Sequence, residues 1–226
     1  MTLNDVIHFS VPDTVINKTI VTTIRKYLYT IQSLTYNRTP VELLDNLFMG
    51  DFAKNSLFYY LKDVNRKNVV DYDEIRTDNF ELPDPGWDIM SLDNNLKIEV
   101  KSSIVPNVDN GNNECATMQN LIDRRDVKIT ASHNNGQTYI NPENLESHIH
   151  VQIYFLNART YRNGPNDLNI LANEITNNPQ MVNQYININK YLYAKYFGYS
   201  LKQEIIDLKD YNLNNGINPI WTFSWT

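Results

Sequence analysis

The sequence is short of cysteine, of basic charge and of long apolar runs, and each shortage excludes something. Cys115 is the only cysteine, so no internal disulfide can form, and a cytosolic setting of bacterial type fits that usage. No apolar run approaches the roughly 20 residues that span a bilayer. The opening Met1-Thr2-Leu3-Asn4-Asp5 lacks both the basic region and the apolar core of a signal peptide. These absences predict a cytoplasmic protein without a membrane partner. Cations are outnumbered, 20 Lys and Arg against 26 Asp and Glu, for a net charge of −6. That balance counts against nonspecific binding to DNA but leaves specific binding open, because Lys and Arg can concentrate on one side. Neither an internal repeat nor a dividing linker is visible. Residues 1–226 therefore read as one domain, and 42% apolar content suffices for one sizeable core.

What the chain has in excess is asparagine, about one residue in seven. An A/T-rich genome is the plain explanation expected for that excess, since Asn, Ile, Lys and Tyr all have A/T-rich codons. Asn can also read adenine bidentately, so individual residues can serve recognition without accounting for the total.

Ser10-Val11-Pro12-Asp13 reads as a capping box, followed by Ile16, Ile20, Ile24, Leu28, Ile31 and Leu34 at helical spacing. The spacing predicts a long amphipathic helix to about Tyr36. Thr39-Pro40-Val41-Glu42 is a second capping box, opening a helix that Gly50 is expected to interrupt before Asp51 to Lys62 continues. This helical part, about residues 10–62, could line the core or contribute to a dimer. Asn68 to Ile75 reads as a strand, and Ser147 to Leu156 as a clearer one. In the latter, Ile149, Val151, Ile153 and Phe155 alternate with His148, His150, Gln152 and Tyr154. The two histidines share a face but have no third ligand, so that face is expected to meet DNA or solvent. Ala116 to Ala131 and Met181 to Phe197 read as helices. Ser200 to Gln203 opens another helix, and Trp221 to Trp225 alternates like a last strand.

The chemistry gathers at residues 83–103. Gly86 to Leu92 and Leu96 to Ser103 read as the two strands of a hairpin. Asp93-Asn94-Asn95 supplies the turn, because Asn and Asp tolerate positive φ. A loop at Asp93-Asn94 sets Asp88 opposite Glu99; a loop at Asn94-Asn95 sets it opposite Lys101. Either register leaves Asp88, Glu99 and Lys101 on one face. Two carboxylates there can share a hard cation such as Mg²⁺, with the Val100 carbonyl as a further oxygen. Lys101 can orient a water and neutralise charge building on phosphoryl oxygens. The plain alternative is a solvated strand carrying a structural Glu-x-Lys ion pair.

Asp88, then ten residues, then Glu99-Val100-Lys101, introduced by Pro83-Asp84, resembles the PD-(D/E)XK nuclease signature. The resemblance is greatest to type II restriction endonucleases. The functional acid falls on Asp88, with Asp84 as the fallback. In related nucleases a helix upstream of the hairpin supplies one more acid, for which Glu42, Asp45 and Asp51 are candidates. The resemblance implies an α/β (α+β) restriction-endonuclease-like fold, a central mixed β-sheet flanked by helices. It implies Mg²⁺-dependent cleavage of double-stranded DNA by a homodimer, blunt and at an A/T-rich palindrome. It also implies a cognate DNA methyltransferase in the same host. Base contacts are expected from polar loops: Asn134, Asn135 and Gln137 in one, Arg159 and Arg162 in another. Two alternatives keep the hairpin: a structure-selective repair or junction-resolving nuclease, and a noncatalytic DNA-binding or interaction protein.

Overall fold

A computed structural model describes residues 7–30, 38–82, 84–105, 127–128, 146–156, 162–191, 193–201, 203 and 222–223. Within them the architecture is mixed α/β. Eight strands occur in chain order: β1 (Ile7–Ser10), β2 (Val69–Asp71), β3 (Ile89–Ser91), β4 (Lys97–Val105), β5 (Val127–Lys128), β6 (Ile149–Leu156), β7 (Tyr193–Leu201) and β8 (Thr222–Phe223). Six of them form one sheet in the order β1-β7-β6-β4-β3-β2, while β5 pairs with β8. β4 and β6 run parallel; the other neighbouring pairs are antiparallel. The sheet is therefore mixed, as expected. No helix among the described residues is long and apolar enough to cross a membrane.

Helices α1 (Asp13–Thr30) and α2 (Pro40–Tyr59) pack on each other and bury the inner face of the sheet. Ile20, Ile24 and Tyr27 place the α1 stripe in the core. On α2, Phe48 and Phe52 meet Phe155 of β6 and Tyr191, with ring centroids 5.2 to 6.3 Å apart. Such offset and edge contacts add to the burial of large apolar area. Three short helices complete the set: α3 (Tyr72–Ile75), α4 (Leu168–Asn177) and α5 (Val182–Tyr185). Asp167 caps α4 by accepting from the Asn169 and Ile170 amides at 2.7 and 3.2 Å.

The Thr39–Glu42 capping box forms as read from sequence, with each side chain accepting the other's backbone N–H. Several other expectations need correction. α2 runs unbroken through Gly50, since burial of Phe48, Phe52 and Leu57 outweighs the roughly 1 kcal/mol helix penalty of one glycine. The strand expected over Asn68 to Ile75 stops at Asp71, which caps α3 by accepting from the Asp73 amide. The helix expected over Met181 to Phe197 is two short turns and α5, then strand β7, whose Tyr and Phe content suits a pleated ladder. Val127–Lys128 is a strand rather than part of a helix; the rest of Ala116 to Ala131 lies outside the described residues. Helix α4 was not expected at all.

α2 is buried over most of its circumference, and Lys54 sits in it at 2% exposure. Its ammonium donates to Asp71 Oδ1 at 2.9 Å and to Asp73. From α1, Lys18 reaches Asp71 Oδ2 and Glu74 Oε1, both at 2.8 Å, and Lys26 reaches Asp51 Oδ1 at 2.6 Å and Asp73 Oδ2 at 2.9 Å. Burial works against the charged form of Asp73, but the Lys54 and Lys26 ammonium groups overcome it and hold the carboxyl down to about 2. This network fixes both helices to the outer edge of the sheet at β2. Removing one member of a buried ion pair leaves the other charges desolvated and unmatched. Lys54→Met is therefore expected to lower unfolding stability by about 3–5 kcal/mol in urea titration at neutral pH. A loss under about 1 kcal/mol would show that Asp71 and Asp73 do not depend on it.

Candidate active site

The hairpin is built by β3 and β4. Ile89 pairs with Ile98 and Met90 with Lys97, which is the register of a loop at Asp93-Asn94 and sets Asp88 alongside Glu99. Asn95 takes φ +56° to close the turn, and Asn94 Oδ1 accepts the Leu96 amide at 3.3 Å. β3 is shorter than the expected Gly86 to Leu92. It starts at Ile89 because Asp88 uses its side chain in place of a regular ladder. Asp88 Oδ2 accepts the Val100 N–H at 2.8 Å, while its own amide donates to the Ile98 carbonyl at 2.8 Å.

The approach to Asp88 is also fixed. Gly86 turns the chain at φ +82°, where a side chain would be strained, and donates its amide to Asp84 Oδ1 at 2.9 Å. Trp87 is buried with its ring edge-on to Tyr72, centroids 4.9 Å apart. The Tyr72 amide donates to the Asp88 carbonyl at 2.8 Å. Helix α3, itself held by Lys54 through Asp71 and Asp73, therefore sets the backbone position of the first acid.

Asp88, Glu99, Val100 and Lys101 lie together on one wall of a cleft of about 1350 Å³. Lys26 of α1, Gly50, Asp51 and Lys54 of α2, and Asp73 and Arg76 line other walls. Glu99 is buried at 6% exposure, and its Oε1 accepts from the Lys101 ammonium. Its Oε2 is buried without a hydrogen-bond partner. Burial, then the charge of Glu99, pushes the Asp88 carboxyl up to about 8, against the opposing pull of the Val100 N–H and Lys54. Burial works against the Lys101 ammonium, but the Glu99 carboxylate overcomes it and raises its pKa. Two carboxyls thus compete for too little positive charge.

That imbalance tests whether the residues fit a cation. An orphaned carboxylate oxygen beside an acid kept from ionising is what a hard divalent ion would satisfy through oxygen atoms. Among the described residues no group of three His, Cys, Asp or Glu is gathered as a ready-made metal cluster. The protein oxygens would therefore come from Asp88 and Glu99, with the Val100 carbonyl the third one expected. Mg²⁺ retains waters and accepts such a partial set.

The third acid from the upstream helix is not brought in plainly. Glu42 is committed to its cap. Asp45 accepts from the Tyr191 hydroxyl at 2.6 Å in the core. Asp51 does line the cleft, but accepts from Thr23 Oγ1 at 2.9 Å and from Lys26. Asp84 lines the same cleft and adds a smaller negative influence on Asp88. Arg162 is described and exposed, its amide donating to the Tyr185 carbonyl at 3.0 Å. Asn134, Asn135, Gln137 and Arg159 lie outside the described residues.

The outer face of β6 differs from its reading as a surface for DNA or solvent. His150, Gln152 and Tyr154 are buried at 3%, 1% and 4% exposure, and His150 Nε2 is 2.9 Å from Ser147 Oγ. Both faces of β6 are thus covered from His150 to Phe155, while His148, just before the strand, is exposed. Lys54 is the residue nearest this chemistry that sequence reading missed. Its sequence signal is weak, because Lys54 is followed by the polar Asn55 and Ser56 and reads as part of a solvated face.

No protein-family model, curated protein or solved structure matches the chain.

The raised Asp88 carboxyl sets a pH dependence. In the unfolded chain an Asp titrates near 3.9, so between about 4 and about 8 the native state holds a proton that the unfolded state releases. That contribution to stability is complete below the lower value and is lost as pH rises through about 8. The expected result is a Tm that falls between about pH 5 and about pH 9 and flattens in Asp88→Asn. Ca²⁺ should restore part of the loss at the alkaline end in wild type alone. Parallel pH profiles for the two proteins would remove Asp88 as their source.

Proposed function

We propose that the chain is a Mg²⁺-dependent endonuclease that hydrolyses phosphodiester bonds of double-stranded DNA, of the type II restriction class. The observation that carries this reading is the wall formed by Asp88, Glu99 and Lys101. It holds two carboxyls side by side, and one of them, Glu99, has the Lys101 ammonium on one oxygen and a buried unpartnered second oxygen. The mixed sheet flanked by helices is the setting such a hairpin requires, although it is a setting many functions share.

In this reading Asp88 and Glu99 hold the cation, joined by the Val100 carbonyl. The Mg²⁺ would supply Lewis acidity toward phosphoryl oxygen and a more acidic water. Val100 also serves through its N–H, which fixes Asp88 Oδ2 in direction. Lys101 orients the attacking water and opposes the negative charge that grows on the phosphoryl oxygens. Water attacks in line, leaving a 5′-phosphate and a 3′-hydroxyl. Two copies related by a two-fold axis would each cut one strand of a palindrome, A/T-rich and cleaved bluntly, with a cognate methyltransferase protecting the host's own sites.

The Glu99–Lys101 contact gives one observation to a second reading, a noncatalytic protein in which these residues are a structural ion pair. That reading leaves Asp88 beside Glu99 unexplained, because a purely structural pair gains nothing from a second buried acid. Incubation with mixed plasmid DNA and Mg²⁺ separates the readings: discrete fragments for a site-specific enzyme, selective cutting of branched substrates for a junction nuclease, no cutting for a structural protein. Lys101→Ala is then expected to lower the single-turnover cleavage rate about a hundredfold or more, while Ca²⁺-supported DNA affinity changes much less. Lys101→Arg should fail as well, since a planar guanidinium does not replace a compact ammonium. A folded Lys101→Ala protein that binds DNA and cuts at the wild-type rate would overturn the catalytic role.

A further inference from the structure

Gln152 is the other buried side chain near this wall with an unsatisfied oxygen. It is 1% exposed, its Nε2 donates to the Ile153 carbonyl at 3.2 Å, and its Oε1 has no partner. In the parallel β4–β6 ladder its Cα partner is Lys101, as His150 is that of Glu99. Strands so paired lie about 4.8 Å apart and send paired side chains to the same face. The β6–β7 register shifts between Gln152 and Ile153, and the β7 residue opposite Gln152 is Gly198. The extra residue of that shift is Phe197 of β7, and a glycine opposite Gln152 leaves its side chain room.

Lys101 is engaged with Glu99 in this state. A divalent cation and an ammonium repel each other, so a cation drawn to the free Oε2 weakens the hold of Glu99 on the ammonium at Oε1. When a cation takes Glu99, the ammonium is pressed away from it and gains from a second acceptor that does not itself attract the cation strongly. A neutral amide oxygen on the adjacent strand meets that requirement. We propose that Gln152 is a positioning residue whose side-chain oxygen receives the Lys101 ammonium when a divalent cation occupies Asp88 and Glu99. This rests on the reading of those two acids as a cation site. It accounts for an acceptor that is buried and without a partner, and it would keep Lys101 beside the reacting centre.

Calorimetric titration of the full chain with Ca²⁺, without DNA, tests the proposal in a double-mutant cycle. Gln152→Met, which keeps volume and removes the oxygen, is expected to weaken Ca²⁺ binding about tenfold or more, as loss of an outer partner does at metal sites. Gln152→Glu, which keeps an acceptor at the same reach, should bind Ca²⁺ at least as well as wild type. In a Lys101→Met background the Gln152→Met change should have no further effect, because no ammonium then needs placing. If Gln152→Met does not fold, Gln152→Asn, which withdraws the oxygen by one methylene, carries the same cycle. Equal losses in both backgrounds, or wild-type affinity in Gln152→Met, would overturn the role of Gln152 and leave the cation site standing. A wild-type protein that takes up no Ca²⁺ would overturn both together.

Discussion

A lysine on a buried helix must find carboxylates, and Lys54 finds Asp71 and Asp73. The position of the whole site follows from that requirement. Asp71 ends β2 and caps α3; Tyr72 of α3 holds the Asp88 backbone and stacks edge-on against Trp87. Lys18 and Lys26 of α1 join the same acids, so both long helices are fixed to the sheet edge where β3 begins. In low dielectric these contacts are directional as well as strong, and a hairpin anchored this way cannot slide without stranding charge.

The site itself is organised by a shortage of positive charge. Glu99 has the Lys101 ammonium on one oxygen and nothing on the other, while Asp88 is kept from ionising by burial and by Glu99. Lys54 acts on Asp88 only at longer range, since its donors are turned to Asp71 and Asp73. On the proposed reading, a cation would supply the missing positive charge, which is how a binding site would differ from a structural salt bridge. Gln152 on the neighbouring strand carries a second buried oxygen without a partner, which the proposed role would account for.

Much of this was legible in the chain. The period-two alternation of Ile149 to Phe155 marked β6, the Thr39–Glu42 box marked the start of α2, and Asp93-Asn94-Asn95 marked the hairpin turn. The spacing of Asp88, Glu99 and Lys101 placed the three groups together in either register. The failures have a common cause. Residues 181–201 and the interior of α2 carry patterns in which local preference is weak and packing decides. Tyr-rich sequence serves strand or helix, and one glycine does not stop a helix whose other residues are buried.

Sequence by itself determined which groups exist and which of them share a strand face, because side-chain alternation is a property of the backbone alone. It also determined the turn, since few residues tolerate positive φ. Only the tertiary structure decided that Asp88 faces Glu99 rather than Lys101. Only packing decided that the His150, Gln152 and Tyr154 face is buried, and that a lysine on α2 governs the placement of an acid on β3. Burial and the electrostatics of neighbours depend on what other segments bring into contact, and no window of sequence contains that information.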